Sequence, residues 1–369
     1  MTLEKIKQFV SHHGRLLLIS AVFLILALLP FYTSMFRVTL FAKFMTFAIV
    51  ALGLDMIWGY TGILSLGHGV YFGLGGYCMA MYLKLAATPN GLPDFMVWTG
   101  IKKLPAIWSP FQYPIPALVM VVLVPVLLAV IIGTLTFLNG IKGVYFSILS
   151  QALAMIMTTL LIGSQAITGG SNGLTNFISF MGMDLKNPMI KIRLFYVTLL
   201  ILILIFALCY FVTKRNAGKL LIAIKGGENR VRFIGYDAAK YKIFVYSLSA
   251  AIAGIAGALY VLQVGIISPS EVGIAFSIEM IIWVAIGGKG TLVGAVIGAL
   301  LVNNLKTTIS ETYPTIWPYF IGGIFVLVML FLPNGLMSLK AIPTQITQFM
   351  VKRRLSKIVH IQQEELSND

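Results

Sequence analysis

The sequence predicts an all-α polytopic membrane protein of about ten transmembrane helices, and three observations predict it. Of its 369 residues, 59% are apolar or aromatic and only 11% are charged, against about 25% charged in a soluble domain. The mean hydropathy is +0.93. Apolar runs of about 20 residues, the length that crosses a bilayer core of about 30 Å, recur along the chain. A water-soluble fold of this size cannot hide so much apolar surface, which excludes a cytosolic enzyme, a secreted disulfide scaffold and a disordered chain.

The first run, near 16–33, follows Lys5, Lys7 and Arg15. It is too long for a signal-peptide core and no small-x-small site closes it, so it reads as an uncleaved first helix after a short cytoplasmic N-terminus, 1–15. Further runs lie near 38–58, 61–85, 115–137, 143–163, 194–213, 243–265 and 316–333. The stretch 276–305 is apolar but interrupted by Gly287-Gly288-Lys289-Gly290, which predicts two short helices or a broken hairpin. Together these make about ten spans, or eight if an intramembrane segment is re-entrant. Residues 16–337 then form one transmembrane domain, and 338–369 a basic tail. The connection 86–114 carries Trp98, Trp108 and five of the 14 prolines, which suits an ordered interfacial loop.

Charge fixes the expected orientation. Lys and Arg number 27 against 12 Asp and Glu, a net charge of +15. Eight of the 27 fall within 214–242 and five in the tail, and a cytoplasmic N-terminus with ten spans places 18 of them on the cytoplasmic side. This is the positive-inside pattern, and it accounts for the basic balance without nucleic acid. Cys78 and Cys209 sit in apolar runs and read as packing residues rather than a disulfide or metal pair.

Catalytic machinery is not expected. Gly287-Gly-Lys-Gly-Thr291 lacks the spacing of a phosphate-binding loop, so the chain does not hydrolyse ATP itself. His68 is the sole histidine placed in the membrane, too little for a His-based metal site. Asp55 and Glu279 are the acids at membrane depth, where ionisable groups either pin helices near an interface or line a pathway. His68, within Gly62-Ile-Leu-Ser-Leu-Gly-His-Gly69, reads either as a pathway residue or as a hydrogen-bonded core histidine. Gly69 and Gly73, Gly290, Gly294 and Gly298, and the small-residue run Ala250 to Ala258 make faces suited to close helix contact. The segment 214–242 mixes Leu220, Leu221, Ile224, Val231, Phe233 and Ile234 with strong positive charge. It predicts a short amphipathic helix at the cytoplasmic face, lying on anionic lipid or holding a soluble partner.

In this segment Gly218-Lys-Leu-Leu-Ile-Ala223-Ile-Lys225, Glu228-Asn229-Arg230-Val231-Arg232-Phe233-Ile-Gly235 and the following Ser249 to Tyr260 resemble the cytoplasmic loop and next helix of branched-chain amino acid ABC importer permeases. The usual Glu-Ala-Ala of that loop is replaced here by Asn229-Arg230-Val231, with the glycine kept as Gly235. Ala51 to Gly69, Leu92 to Gly100, Gly143 to Ser147, Gly169 to Thr175, Gly265 to Glu271 and Ser277 to Trp283 are similar to the urea branch of that family. The resemblance runs from about 45 to 337. It implies a multi-pass subunit of the bacterial inner membrane with both termini cytoplasmic, no cofactor of its own, a second homologous permease, two ATPases that use the ATP, and a periplasmic binding protein. It also implies a coupling helix docking on the ATPase through Ala223, Glu228, Asn229, Arg230, Val231, Arg232, Phe233 and Gly235. Urea is small, neutral and rich in donors and acceptors, so Tyr60, Thr61, Ser65, His68 and Asn172 are candidate path liners, with Asp55 and Glu279 as the charged candidates. A permease for branched-chain amino acids or short amides is the nearest alternative, and an ion-coupled secondary transporter the next.

Overall fold

The computed structural model describes residues 3–88 and 91–315, with scattered positions between 319 and 336. Helix α1 (Leu3–Tyr32) leads into α2 (Met35–Thr61), which ends where Gly62 takes the left-handed conformation, φ 77°, and donates its N–H to the Trp58 carbonyl. The expected run 61–85 is not helical from its start. Residues 62–67 are non-helical, and α3 (His68–Ala87) begins only after them. The physical reason is the pair of glycines, Gly62 and Gly67, that bracket the segment.

The connection 88–113 holds α4 (Asp94–Trp98) and a 3-10 turn at Ala106–Gln112, followed by α5 (Pro114–Phe137) and α6 (Val144–Gly163). A second connection carries α7 (Gln165–Thr168), β1 (Leu174–Thr175), β2 (Ser179–Phe180) and β3 (Met183–Asp184). Then come α8 (Pro188–Lys214), α9 (Asn216–Phe233), α10 (Ala238–Val264), β4 (Ile266–Ile267), α11 (Ile274–Gly287) and α12 (Leu292–Thr312). The strands are two-residue ladders: β1 pairs antiparallel with β4, Leu174 opposite Ile267, and β2 with β3.

Among the described residues six helices, α2, α5, α6, α8, α10 and α12, are long and apolar enough to cross a membrane, and Leu17–Tyr32 and α11 are shorter apolar helices. The expected ten spans therefore do not map one for one onto the described residues. The stretch 276–305 is resolved into α11 and α12, turning at Gly288–Thr291 as its glycines predicted. The expected span over 316–333 lies largely outside the described residues, as does the tail 338–369.

The core is built on α10, which packs against α2, α3 and α5, while α2 also contacts α8 and α12. Burying apolar area does not by itself pull helices together in lipid, so their fit has to come from small residues and van der Waals contact. A side chain added at Gly75 would strike the backbone of Gly254, and one at Gly257 would strike that of Phe72. These backbones therefore meet without intervening side chains. Gly294 and Gly298 likewise press on Gly287, so the small-residue faces of α3, α10 and α12 are used within the chain. Aromatic rings fill the wider space beside them: Phe47 stacks on Trp283 at 4.7 Å and on Tyr260 at 5.7 Å.

Candidate functional site

The late start of α3 leaves backbone polar groups of residues 62–67 inside the bundle, where no water replaces a missing hydrogen bond. Serines from other helices satisfy them. Ser147 Oγ donates to the Leu64 carbonyl at 2.8 Å, and Ser150 Oγ accepts from Leu66 N–H at 3.0 Å. Ser277 Oγ accepts from Gly69 N–H at 3.0 Å, which ties the break to α11.

At the head of α3, His68 is fully buried and its Nε2 lies 2.8 Å from Ser249 Oγ on α10. Its Nδ1 has no hydrogen-bond partner among the described residues. Tyr71 crosses its ring edge-on and shares a hydrogen bond with the Tyr246 hydroxyl, and Ser65 is buried nearby with no hydrogen-bond partner among the described residues. The centre of the bundle is thus an uncharged cluster of hydroxyls around one imidazole. Such a cluster can offer donors and acceptors to a neutral polar solute and presents no fixed charge.

Of the other expected path liners, Thr61 donates its hydroxyl to Ile57 O in its own helix, and Tyr60 is half-buried beside it. Asn172 does not join this cluster. The glycine turns at Gly169 and Gly173 carry it to an exposed 3-10 turn in the connection after α7.

Asp55 has the pinning role. It is fully buried, and its Oδ1 accepts from the backbone N–H of Gly290 at 2.6 Å, fastening the α11–α12 turn to α2. A Cβ on Gly59 would collide with that same carboxylate oxygen and with Gly290, so the contact requires bare backbone there. Lys225 of α9 donates to the Gly59 carbonyl at 2.6 Å, and its aliphatic stem covers Gly62. One hydrogen-bonded chain therefore runs from α9 through the end of α2 to both helix breaks. Glu279 is placed elsewhere, paired with Lys306 at 2.8 Å.

Helix α9 is longer than the short helix expected. Two helical pieces, 216–226 and 228–233, meet at Gly227, whose extended φ of 170° breaks the regular winding. One face is anchored. Leu221 enters the main core, and Ile224 and Val231 form a small cluster with Ala238. Glu228 reaches Lys242 at 2.6 Å and Lys142 at 3.3 Å, bridging α9 to α10 and to the α5–α6 turn. The other face is bare: Ala223, Asn229, Arg230, Arg232 and Gly235 are exposed, and Phe233 is 92% exposed. Of the expected contact set, Val231 and Glu228 thus face the bundle and only the rest face outward.

Partial burial works against the Glu228 carboxylate, but the hydrogen bond and charge of Lys242 and the charge of Lys142 outweigh it and hold its pKa below the usual range. A depressed pKa contributes stability fully above the unfolded value of about 4.3, and that contribution is lost as pH falls through the folded value. Glu228→Gln is accordingly expected to destabilise the chain by about 1.5–3 kcal/mol at pH 7. Its thermal midpoint in detergent, compared with the parent's, should show a gap that closes on acidification.

Lys225 and the serines Ser147, Ser150, Ser249 and Ser277 were not among the residues expected from sequence. Their signal was weak but present: hydroxyls in otherwise apolar runs have to find partners inside the protein.

The sequence model of the family described as branched-chain amino acid transport system / permease component matches residues 36–331. The chain belongs to that family. This permease is 24% identical over 334 residues to the high-affinity branched-chain amino acid transport system permease protein LivM of Escherichia coli (strain K12), covering 84% of this chain and 72% of the relative. It is 26% identical over 303 residues to the corresponding protein BraD of Pseudomonas aeruginosa, covering 79% and 92%. The ribose import permease protein RbsC of Haemophilus influenzae is 27% identical over 206 residues, covering 51% of this chain and 60% of the relative. No solved structure matches this permease. It is a permease component of an ABC importer, and its relatives are permease subunits rather than enzymes.

Proposed function

We propose that this permease forms, with a second homologous permease, the path of an ATP-driven importer in the bacterial inner membrane. Two ATPase subunits power the pair of permeases, one of them docking on the α9 of this chain, and a periplasmic protein delivers solute at the other end. The observation that carries this reading is the two-faced α9. One face is fixed in the bundle by Leu221, Val231 and Glu228, while Arg230, Arg232 and Phe233 stand clear of it. ATP binding moves such a path only by favouring one permease conformation over another. The Lys225–Gly59 bond supplies a rigid connection from α9 to the end of α2, where the helix breaks begin.

Urea is the proposed solute. The motif similarities to the urea branch support it, and so does the uncharged cluster around His68, which suits a neutral molecule that both donates and accepts. Branched-chain amino acid import is the second reading, favoured by the named activities of the relatives above. The test is uptake of radiolabelled urea and leucine in cells that make the complete importer, each challenged with the other. Urea uptake that depends on this chain and resists excess leucine is the expected result. Leucine uptake blocked only by other branched-chain amino acids would replace the first reading with the second.

A further inference from the structure

Away from the α9 end, the outer half of α2 carries Lys43, a half-buried lysine inside a span. Lysines at such positions are costly and face partners or water-filled cavities. Among the described residues Lys43 makes no ion pair; its ammonium lies 5.6 Å from the ring centre of Phe47 and 5.8 Å from that of Tyr260. It borders a cleft of about 400 Å³ between α2, α11 and α12, lined also by Glu271, Glu279 and Lys306.

The charges in this cleft are arranged unequally. Glu279 and Lys306 neutralise each other at 2.8 Å. Glu271 is held by its own turn, its Oε2 accepting from Ser268 N–H at 3.0 Å, Ser268 Oγ at 2.8 Å and Ser270 Oγ at 3.1 Å. That leaves a fixed carboxylate and an ammonium without an acid partner across an aromatic floor of Phe47 and Tyr260, each about 4% exposed. The cleft adjoins the central cluster: a Cβ on Gly69, next to His68, would lie 2.9 Å from the Glu271 carbonyl.

We propose that this cleft is a solute-binding station, in which Lys43 donates to an oxygen of the solute while the Glu271 carboxylate accepts from its N–H groups. The chemistry it selects is an acceptor oxygen flanked by N–H donors. Urea presents this as a carbonyl between two amino groups, and an α-amino acid as a carboxylate beside an ammonium. The backbone of Glu271, on the wall of the station, packs against Gly69 beside His68. The proposal rests on the transport reading above.

Three variants of the complete importer test it, with chain abundance in the membrane measured for each. Lys43→Met removes a charged hydrogen-bond donor and is expected to raise the half-saturation concentration for the transported solute by about ten- to a hundredfold. Lys43→Arg should keep it within about threefold, because the cation is retained. Ala275→Trp, from an exposed position on the cleft wall, changes no charge and should lower uptake at least tenfold by filling the space. Comparing urea with leucine as solute tells which molecule uses the station. If Lys43→Met and Ala275→Trp both match the parent per chain inserted, the station is refuted while the transport reading stands. If the parent takes up neither solute, both proposed solutes fail and the station, as argued for them, fails with them.

Discussion

Combining Phe233→Ala with Arg230→Gln and Arg232→Gln is expected to leave the chain inserted at the parent's level and to cut both uptake and solute-stimulated ATP hydrolysis by about 30-fold or more. Phe233 is 92% exposed on a helix whose opposite face is packed, and the two arginines precede it by one and three residues and are exposed as well. A large aromatic beside arginines is the composition of an interface hot spot, where truncation costs about 2 kcal/mol or more. At 1.4 kcal/mol per tenfold, that gives the stated loss. Pull-down of the ATPase by the variant, alongside uptake, checks it. A variant that binds and stimulates the ATPase like the parent would return α9 to the role of a lipid-surface anchor, and its activity would then vary with the anionic lipid content of the membrane.

The second large effect is expected at Gly257→Val, which should prevent stable folding. A Cβ there would lie 2.8 Å from the carbonyl carbon of Phe72 and 2.9 Å from the N of Gly76, both backbone atoms that no rotamer change can move aside. Overpacking a core costs about 1–3 kcal/mol when side chains yield, and here α3 and α10 have to separate instead. The loss should reach or exceed the top of that range, read as the thermal midpoint of the purified chain in detergent. Gly163→Ala is the control. Nothing lies within 4 Å of its added Cβ, and its effect should stay within about 0.5 kcal/mol. If the two variants melt alike, the close approach of α3 and α10 does not hold the fold together.

These two sites differ in how legible they were from sequence. The basic, amphipathic character of 214–242 is a property of consecutive residues, so the helix and its motif were readable. Which residues face outward was not, because that depends on where α10 and the α5–α6 turn lie: they draw Glu228 and Val231 inward and leave Phe233 bare. The small residues of α3 and α10 were recognised as contact faces, but their pairing across about 180 residues, Gly75 with Gly254, is set by the fold alone. Asp55 stood out as an acid at membrane depth, yet its pinning role needed the position of Gly290, 235 residues away. The span expected from 61 shows the converse limit. Hydropathy does not distinguish apolar extended backbone from apolar helix, and residues 62–67 are apolar enough for either.

Sequence alone determined that this protein is a mostly helical chain with several membrane-length apolar segments, because composition and span length act locally or additively along the chain; that it is a permease came from the resemblance of its motifs. Tertiary structure decided where α3 begins, which serines satisfy the exposed backbone before it, and how Lys225, Gly59, Asp55 and Gly290 join α9 to the helix breaks. It also decided that Lys43 faces Glu271 and Glu279 across one cleft. Each of these is a contact between residues distant in sequence, and a hydrogen bond or charge pair exists only when both partners are brought within a few ångströms.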